Sequence, residues 1–516
     1  MALPSLRPSN PTPVPLPVLA RVAGVAGPVD VPGRSRRARG PAEVTGVTLD
    51  SRSVQPGDLY AGLPGANVHG ARFTAAAVRA GAAAVLTDPS GASTAALSEL
   101  TVPVLVVPDP RAVLGEVSAT VYGRPADRLT VLGVTGTNGK TTTAYLLDSA
   151  LRALGRRTGL IGTVETRVGD QAVQSVRTTP EAPDLHALFA VMVERGIDTV
   201  TMEVSSHALA LHRVDGVVCD VAGFTNLSQD HLDFHPTMAD YFAAKATLFT
   251  PARSRRGVVC VDDEWGRRLA AQAGVPVTTV SATSQADWRL VGQPSGPGFE
   301  LVGRDATLAL RSALPGDFNR VNTAIAALML LAHGVAAGDV ERALAADPRV
   351  PGRMERVAID GVEHAQGVVD FAHTPQAVAA ALASLRAGTA GRLVAVLGAG
   401  GDRDPDKRAA MGAAAARHAD IVVVTDDNPR SEDPGAIRAA VAAGARSVSD
   451  RLGQVHVVAG RAEAIRYAVS LAAGPQDTVV VLGKGHETGQ EVAGVVHPFD
   501  DRDELRAALA AQVVRS

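Results

Sequence analysis

Cysteine is nearly absent: the 516-residue chain holds only Cys219 and Cys260. Two thiols can build neither a disulfide framework nor a four-thiolate zinc site, which fits a reducing, cytoplasmic setting, and both read best as small apolar core residues. Aromatics are also few, with 2 Trp, 5 Tyr and 10 Phe against 51 Gly. That balance points away from an aromatic-rich sandwich and toward many tight turns between strands and helices. Positive charge is not in excess, because 50 Lys and Arg face 53 Asp and Glu for a formal net charge of -3. Nucleic acid and anionic membrane therefore have no broad basic surface to bind, and neither is expected as a partner. The longest apolar run, AIAALMLLA from Ala324 to Ala332, falls well short of the roughly 20 residues that span a bilayer, so it predicts a buried helix. No export signal is evident either. Pro4, Pro8, Pro11, Pro13, Pro15 and Pro17 interrupt any apolar stretch at the start, and residues 1–41 are expected to be a disordered Pro-rich tail. The basic run Arg34, Arg36, Arg37 and Arg39 within it reads as solvated charge.

What the chain has is size and rhythm. At 46% hydrophobic and 20% charged it can bury substantial cores, and its length suits three domains of roughly 150 residues. Residues 42–126 mix short β-like runs with Gly/Pro turns and a helical AAAVRAGAAAVL, which predicts a small α/β domain. Residues 127–352 alternate strand candidates such as DTVTMEV, VVCDVAG and GVVCVD with helical segments. That pattern predicts a mostly parallel sheet covered on both faces. Past PGRMERV the rhythm restarts over residues 353–516, where VVDFAHTP, RLVAVLGAGGDRD, DIVVVTDDNPR and TVVVLGKGHE are apolar runs that end in polar loops. Ligands of open α/β sheets bind at such strand ends. The fold class is α/β in three domains, with a P-loop ATPase-type central sheet and a Rossmann-like C-terminal domain.

The strongest local signal is Gly136-Thr137-Asn138-Gly139-Lys140-Thr141-Thr142, placed between a β-branched run and a helix. Glycines let the backbone approach a phosphate, lysine supplies charge, a hydroxyl suits Mg²⁺, and the helix start favours anions. One departure is Val134 where the usual loop has Gly, with Gly133 one residue early. A chance Gly-Lys-Thr turn is the plain alternative.

The shortened loop GVTGTNGKTTT, with TTP at Thr178-Thr179-Pro180, EVSSH at Glu203 to His207, FTNLSQDHLDFH, AAKATLF around Lys245, LPGDFNRVN, PGRMERV and DFAHTP, resembles the Mur ligase family block by block from about residue 43 onward. The resemblance implies an ATP-dependent ligase of peptidoglycan precursor synthesis that activates a carboxylate as an acyl phosphate and lets an amine attack it. It implies ATP at Gly136 to Thr142, Asn319, Asn322, Arg353 and Asp370, and catalytic roles for Lys140, Glu203, His231 and Lys245. Two Mg²⁺ ions would be held by Thr141, Glu203, His231 and Lys245, the last as a CO₂-derived carbamate. A UDP-sugar substrate, UDP-MurNAc-L-Ala-D-Glu, would meet Ser51, Thr178, Thr179, Ser205 and Arg213; the first domain would bind its UDP-sugar part. Leu211 stands where some relatives have Gln, so that contact must be absent or replaced.

In this family DNPR marks enzymes that add meso-diaminopimelate, which assigns that amino acid to Arg403, Asp427, Asn428, Pro429, Arg430, Gly483 and Glu487. Arginines suit its carboxylates and Glu487 its distal ammonium. A monomer is expected. Plainer readings stand beside several of these: Glu203 as a helix-capping acid, Asn322 as a cap of the apolar helix beginning near Thr323, and Lys245 with its head in water. Lys484 and His486 are given no role, Lys484 being read as a solvated turn lysine. L-lysine or another amino acid is the alternative acceptor, and a P-loop ATPase or kinase would leave DNPR and GKGHE without purpose.

Overall fold

A computed structural model of the chain describes residues 7–25, 42–65, 67–94, 102–292, 297–359, 361–450 and 453–513. The first sheet has four parallel strands, Gly46–Thr48, Asp58–Gly62, Ala84–Thr87 and Val104–Val106, in sequence order. The helix Pro110–Val121 packs on it. Its cap is Asp109, which accepts from the backbone N–H groups of Arg111 at 2.9 Å and Ala112 at 3.2 Å.

The expectation of a disordered tail needs correcting over residues 7–25, the part of residues 1–41 that is described. Leu16–Val22 is a helix, and its Leu16, Leu19 and Ala20 are buried in the same core as Leu59, Leu86 and Leu114. Pro17 does not break it because it sits in the first turn, where no backbone N–H is needed. Upstream, Arg7 pairs with Asp58, and the Ser9 N–H donates to Glu194 at 3.0 Å. The Arg34 to Arg39 run lies outside the described residues.

The second sheet has eleven strands. Its centre is Thr130–Thr135, paired in parallel with Thr199–Glu203 on one side and Val221–Phe224 on the other. Both edges end in antiparallel ribbons, Glu165–Val168 with Gln171–Gln174, and Gly298–Val302 with Thr307–Arg311. These edges are an addition to the mostly parallel sheet that the sequence predicts. The apolar run lies in the helix Asp317–Ala332, whose Ala324 to Leu330 are all buried. Asn322 is therefore inside that helix and does not cap it. Both cysteines are buried, and burial pushes the Cys219 thiol up to about 12.

The third sheet runs in the order Glu355–Val357, Gln366–Asp370, Thr478–Leu482, Leu393–Leu397, Ile421–Val424, Gln454–Val457, parallel except for the first strand. Alternate residues feed two cores: Ala395, Leu397, Val422, Val424, Val480 and Leu482 face the helices Pro375–Gly388, Lys407–His418 and Pro434–Arg446. Val394, Val396, Val423, Val479 and Val481 face Arg461–Leu471 and Asp501–Val513. A strand with both faces covered must be apolar throughout, which is why these runs read as unbroken Val and Leu.

Between the last two helices lies a fully buried ion pair. Arg461 Nε and Nη2 donate to the two Asp501 oxygens at 2.7 Å each, and the same guanidinium reaches the Asp426 carbonyl at 3.1 Å and the Leu482 carbonyl at 2.9 Å. Asp501→Ala leaves that cation uncompensated and should destabilise the protein by about 3–5 kcal/mol. Urea unfolding checks this, and a loss below about 1 kcal/mol would contradict it. A second prediction concerns acid. His186 is fully buried with Nε2 against the Asp215 carbonyl at 2.9 Å, and burial lowers its pKa to about 4. The unfolded chain takes up a proton between pH 6.5 and 4 that the native chain refuses, so stability falls as pH falls, by about 3 kcal/mol from this group. His186→Asn should show a smaller loss between pH 7 and pH 4.5; an equal loss would place the effect elsewhere.

Candidate active site

The phosphate loop follows the central strand Thr130–Thr135 and opens the helix Lys140–Ala153. Gly136 and Gly139 take φ of 145° and 87°, values that side chains disfavour. A Cβ on Gly136 would collide with Thr225 Oγ1, and one on Gly139 with Asn322 Oδ1. The loop is stitched from outside: the Thr225 hydroxyl donates to the Asn138 carbonyl at 2.6 Å, and Asn226 Oδ1 accepts from the Asn138 N–H at 3.0 Å. Thr225 and Asn226 stand just past the strand Val221–Phe224 and were missed as individual site residues; their signals are the strand-end position and their place in the block FTNLSQDHLDFH. Val134, the departure from the usual loop, is a fully buried strand residue, so the loop begins two residues later, at Gly136.

Lys140 folds back on this loop, donating to the carbonyls of Gly136 at 3.0 Å and Thr137 at 2.8 Å, and burial lowers its pKa. The Thr141 hydroxyl donates to Glu203 Oε2 at 2.9 Å, while Glu203 Oε1 accepts from the Thr163 N–H at 2.7 Å. Glu203 thus ends its strand as an acceptor for neighbouring loops and caps no helix; Ser205 caps the next one. Lys245 is 1% exposed, so the reading with its head in water does not hold. Its Nζ donates to the Gly136 carbonyl at 2.7 Å and lies 4.7 Å from the centre of the Tyr241 ring. Burial, with Lys140 nearby, holds its pKa well below the ordinary lysine value. His231, at φ 55°, packs edge-on to His207 with ring centres 4.9 Å apart, and burial lowers each to about 4.

The third sheet brings its strand ends to the same place. Arg353 Nη2 lies 3.2 Å from Thr141 Oγ1 with its guanidinium over Phe371, 4.3 Å from the ring centre. Asp370 accepts from the N–H groups of Met354 at 2.8 Å and Ala372 at 2.9 Å, and burial raises its pKa. Arg403 faces Asp233 across the cleft at 3.9 Å. Arg430, at φ 51°, donates from Nη1 to the Gly401 carbonyl at 2.6 Å and lies 3.4 Å from Glu491.

One cleft of about 360 Å³ is lined by Thr137 to Thr142, Thr178, Glu203, Ser205, His231, Arg353, Arg403, Asp427, Asn428, Arg430, Gly483 and Glu487. Gly136, Pro429, Lys245, Asp370, Asn319 and Asn322 do not line it. The two asparagines sit beneath the phosphate loop, with Asn322 Nδ2 donating to Asn319 Oδ1 at 3.2 Å. Ser51 lines a separate cavity of about 1030 Å³ between the first sheet and the second. Thr179 and Arg213 line neither: the Thr179 hydroxyl donates to the Glu203 carbonyl at 2.8 Å, and Arg213 Nε pairs with Glu181 at 2.9 Å. At Leu211 the backbone carbonyl accepts from Arg111 Nη1 at 3.3 Å. Among the described residues no three His, Cys, Asp or Glu side chains cluster as a metal site, and no helix is long and apolar enough to cross a membrane.

A phosphate loop facing a second set of charged strand-end loops across one cleft defines an ATP-dependent ligase class of α/β protein. Three family models match in order: "Mur ligase family, catalytic domain" over residues 43–122, "Mur ligase middle domain" over 134–330 and "Mur ligase, glutamate ligase domain" over 352–485. A relative from Streptomyces coelicolor is 55% identical with 98% of each chain covered, and one from Corynebacterium glutamicum is 48% identical with 93% of this chain and 95% of its own. Both are named UDP-N-acetylmuramoyl-L-alanyl-D-glutamate--2,6-diaminopimelate ligase. A solved structure of a protein with that name superposes at a TM-score of 0.66 with 30% identity over 97% of this chain and 99% of its own. The chain belongs to the Mur ligase family and is a ligase.

The loop geometry yields a test. Gly139→Ala adds a Cβ at positive φ against Asn322, a strain of about 1–3 kcal/mol on the bound loop, and should weaken ATP binding about 10- to 100-fold. Calorimetry with a non-hydrolysable ATP analogue measures it; unchanged affinity would mean that the loop tolerates another path.

Proposed function

We propose that the chain uses ATP to join meso-diaminopimelate to a carboxylate of UDP-N-acetylmuramoyl-L-alanyl-D-glutamate, a step of peptidoglycan precursor synthesis. The carboxylate oxygen attacks the terminal phosphorus of ATP, ADP leaves, the amine attacks the acyl phosphate carbon, and phosphate leaves as the amide forms. The observation that carries this reading is the shared cleft, where the phosphate loop and the Arg403, Asn428, Arg430 and Glu487 loops face one another. Activation and aminolysis need both ends of the chemistry within reach. The division of labour is residues 42–126 for the UDP-sugar, 127–352 for ATP and 353–516 for the amino acid, in a monomer.

Loop amides from Gly136 to Thr142, Lys140 and Arg353 would surround the phosphates, while Asn319, Asn322 and Asp370 would brace the nucleotide site from behind. Thr141 and Glu203 fit a hard divalent cation, being two oxygen donors 2.9 Å apart at a helix start. Mg²⁺ there would offset phosphate charge, and His231 with a carbamate on Lys245 would hold a second ion. The Lys245 environment suits that modification, since only a neutral amine attacks CO₂ and burial favours the neutral form. Ser51 would meet the UDP-sugar in the larger cavity and Thr178 and Ser205 its other end in the cleft, with Thr179 and Arg213 supporting the wall between.

ADP release by the purified protein with UDP-N-acetylmuramoyl-L-alanyl-D-glutamate should depend on meso-diaminopimelate far more than on L-lysine. Equal rates would remove the acceptor assignment, and no turnover with either would remove the function. Arg430→Ala should raise the diaminopimelate KM about tenfold or more and leave the ATP KM within about twofold, as expected for a lost charge-assisted bond.

A further inference from the structure

Lys484, expected to be solvated, is fully buried. Gly483 and Gly485 flank it at φ 116° and 54°, so the chain turns on both sides of the lysine. A Cβ on Gly485 would lie 2.7 Å from the Gly352 carbonyl oxygen, so the turn is packed as well as bent. The Lys484 ammonium donates to Glu487 Oε2 and to Asn428 Oδ1, each at 2.9 Å. Asn428 Nδ2 in turn donates to the same Glu487 Oε2 at 2.9 Å, and the Glu491 N–H donates to Asn428 Oδ1 at 3.0 Å. Both bonds to Glu487 use one oxygen, leaving Oε1 as its remaining acceptor. Glu487 and Asn428 line the cleft; Lys484 does not.

A buried ammonium beneath a cleft-lining carboxylate does two things. It fixes the carboxylate's orientation, and it cancels most of its charge at short range. A cancelled carboxylate is a weak trap for a bare cation. With Arg430 on the same wall, it still suits a group that carries an ammonium and a carboxylate together, since each end meets an opposite partner. We propose that Lys484 is a specificity-determining positioning residue: acting through Glu487, it makes the acceptor site prefer a zwitterionic amino-acid end over a plain alkylammonium. This rests on the diaminopimelate reading above and deepens it. Both acceptors share an α-amino-acid end and differ at the other, where diaminopimelate carries a second ammonium and carboxylate and L-lysine only a bare ammonium.

The test measures the diaminopimelate KM and the Ki of L-lysine as its competitor in the full-length enzyme, with the ATP KM and the melting temperature recorded for each variant. Lys484→Gln should lower the ratio of lysine Ki to diaminopimelate KM about tenfold or more while the ATP KM stays within about twofold. Lys484→Arg, which keeps the charge, should restore the ratio to within about threefold of wild type. Glu487→Gln supplies a second readout if Lys484→Gln does not fold: the uncancelled ammonium should now repel lysine more than diaminopimelate, so the ratio should rise. A ratio unmoved in a folded Lys484→Gln or in Glu487→Gln would overturn the proposal. Wild-type enzyme that turns over diaminopimelate with an unmoved ratio in the variants sinks this inference alone; wild-type enzyme inactive with diaminopimelate sinks the acceptor reading with it.

Discussion

The hydroxyl of Thr141 is the point on which the cleft depends. It donates to Glu203 from the neighbouring strand and lies within hydrogen-bond distance of Arg353 from the third sheet, so one side chain at the start of the phosphate-loop helix touches both halves of the site. The helix start itself is fixed because Gly136 and Gly139 occupy backbone regions that other residues disfavour, with Thr225 and Asn322 packed where a Cβ would be. A loop so constrained is preorganised for an anion, and the residues that reach it inherit its position.

Charge in this site is arranged by burial more than by number. The near-neutral chain holds Lys140 and Arg353 at one loop, each with its pKa lowered chiefly by burial, a cost that phosphate charge would offset. On the opposite wall, arginines meet carboxylates in advance: Arg403 faces Asp233 and Arg430 lies beside Glu491. Deeper still, the Arg461–Asp501 pair ties together the strand ends that carry Asp426 and Leu482, immediately before the Asp427 and Gly483 loops. Rigid strands and buried pairs set the geometry, and the loops at the strand ends carry the side chains that line the cleft.

Much of this was legible because period and turn chemistry are local. The apolar runs that end in GGDRD, DNPR and GKGHE are strands of one doubly covered sheet, and their loops do line the cleft. What the local pattern did not show, and for Asn322 came only from the family resemblance, acts at long range. Nothing local distinguishes Lys484 from a solvated turn lysine, since its burial is set by packing of the surrounding loops. Asn322 lies in a helix that begins at Asp317, five residues before it, and meets the phosphate loop across a gap of 183 positions in the chain, Gly139 to Asn322. The helix Leu16–Val22 was hidden by prolines, because a proline in the first turn of a helix looks, in sequence, like a breaker.

The central claim is that a substrate carboxylate and the ATP phosphates meet in this cleft to form an acyl phosphate. The most direct measurement labels that carboxylate with ¹⁸O and follows the label during turnover. Attack on the terminal phosphorus predicts one labelled oxygen in each phosphate released. Phosphate free of label, with amide formed at the normal rate, would contradict the account.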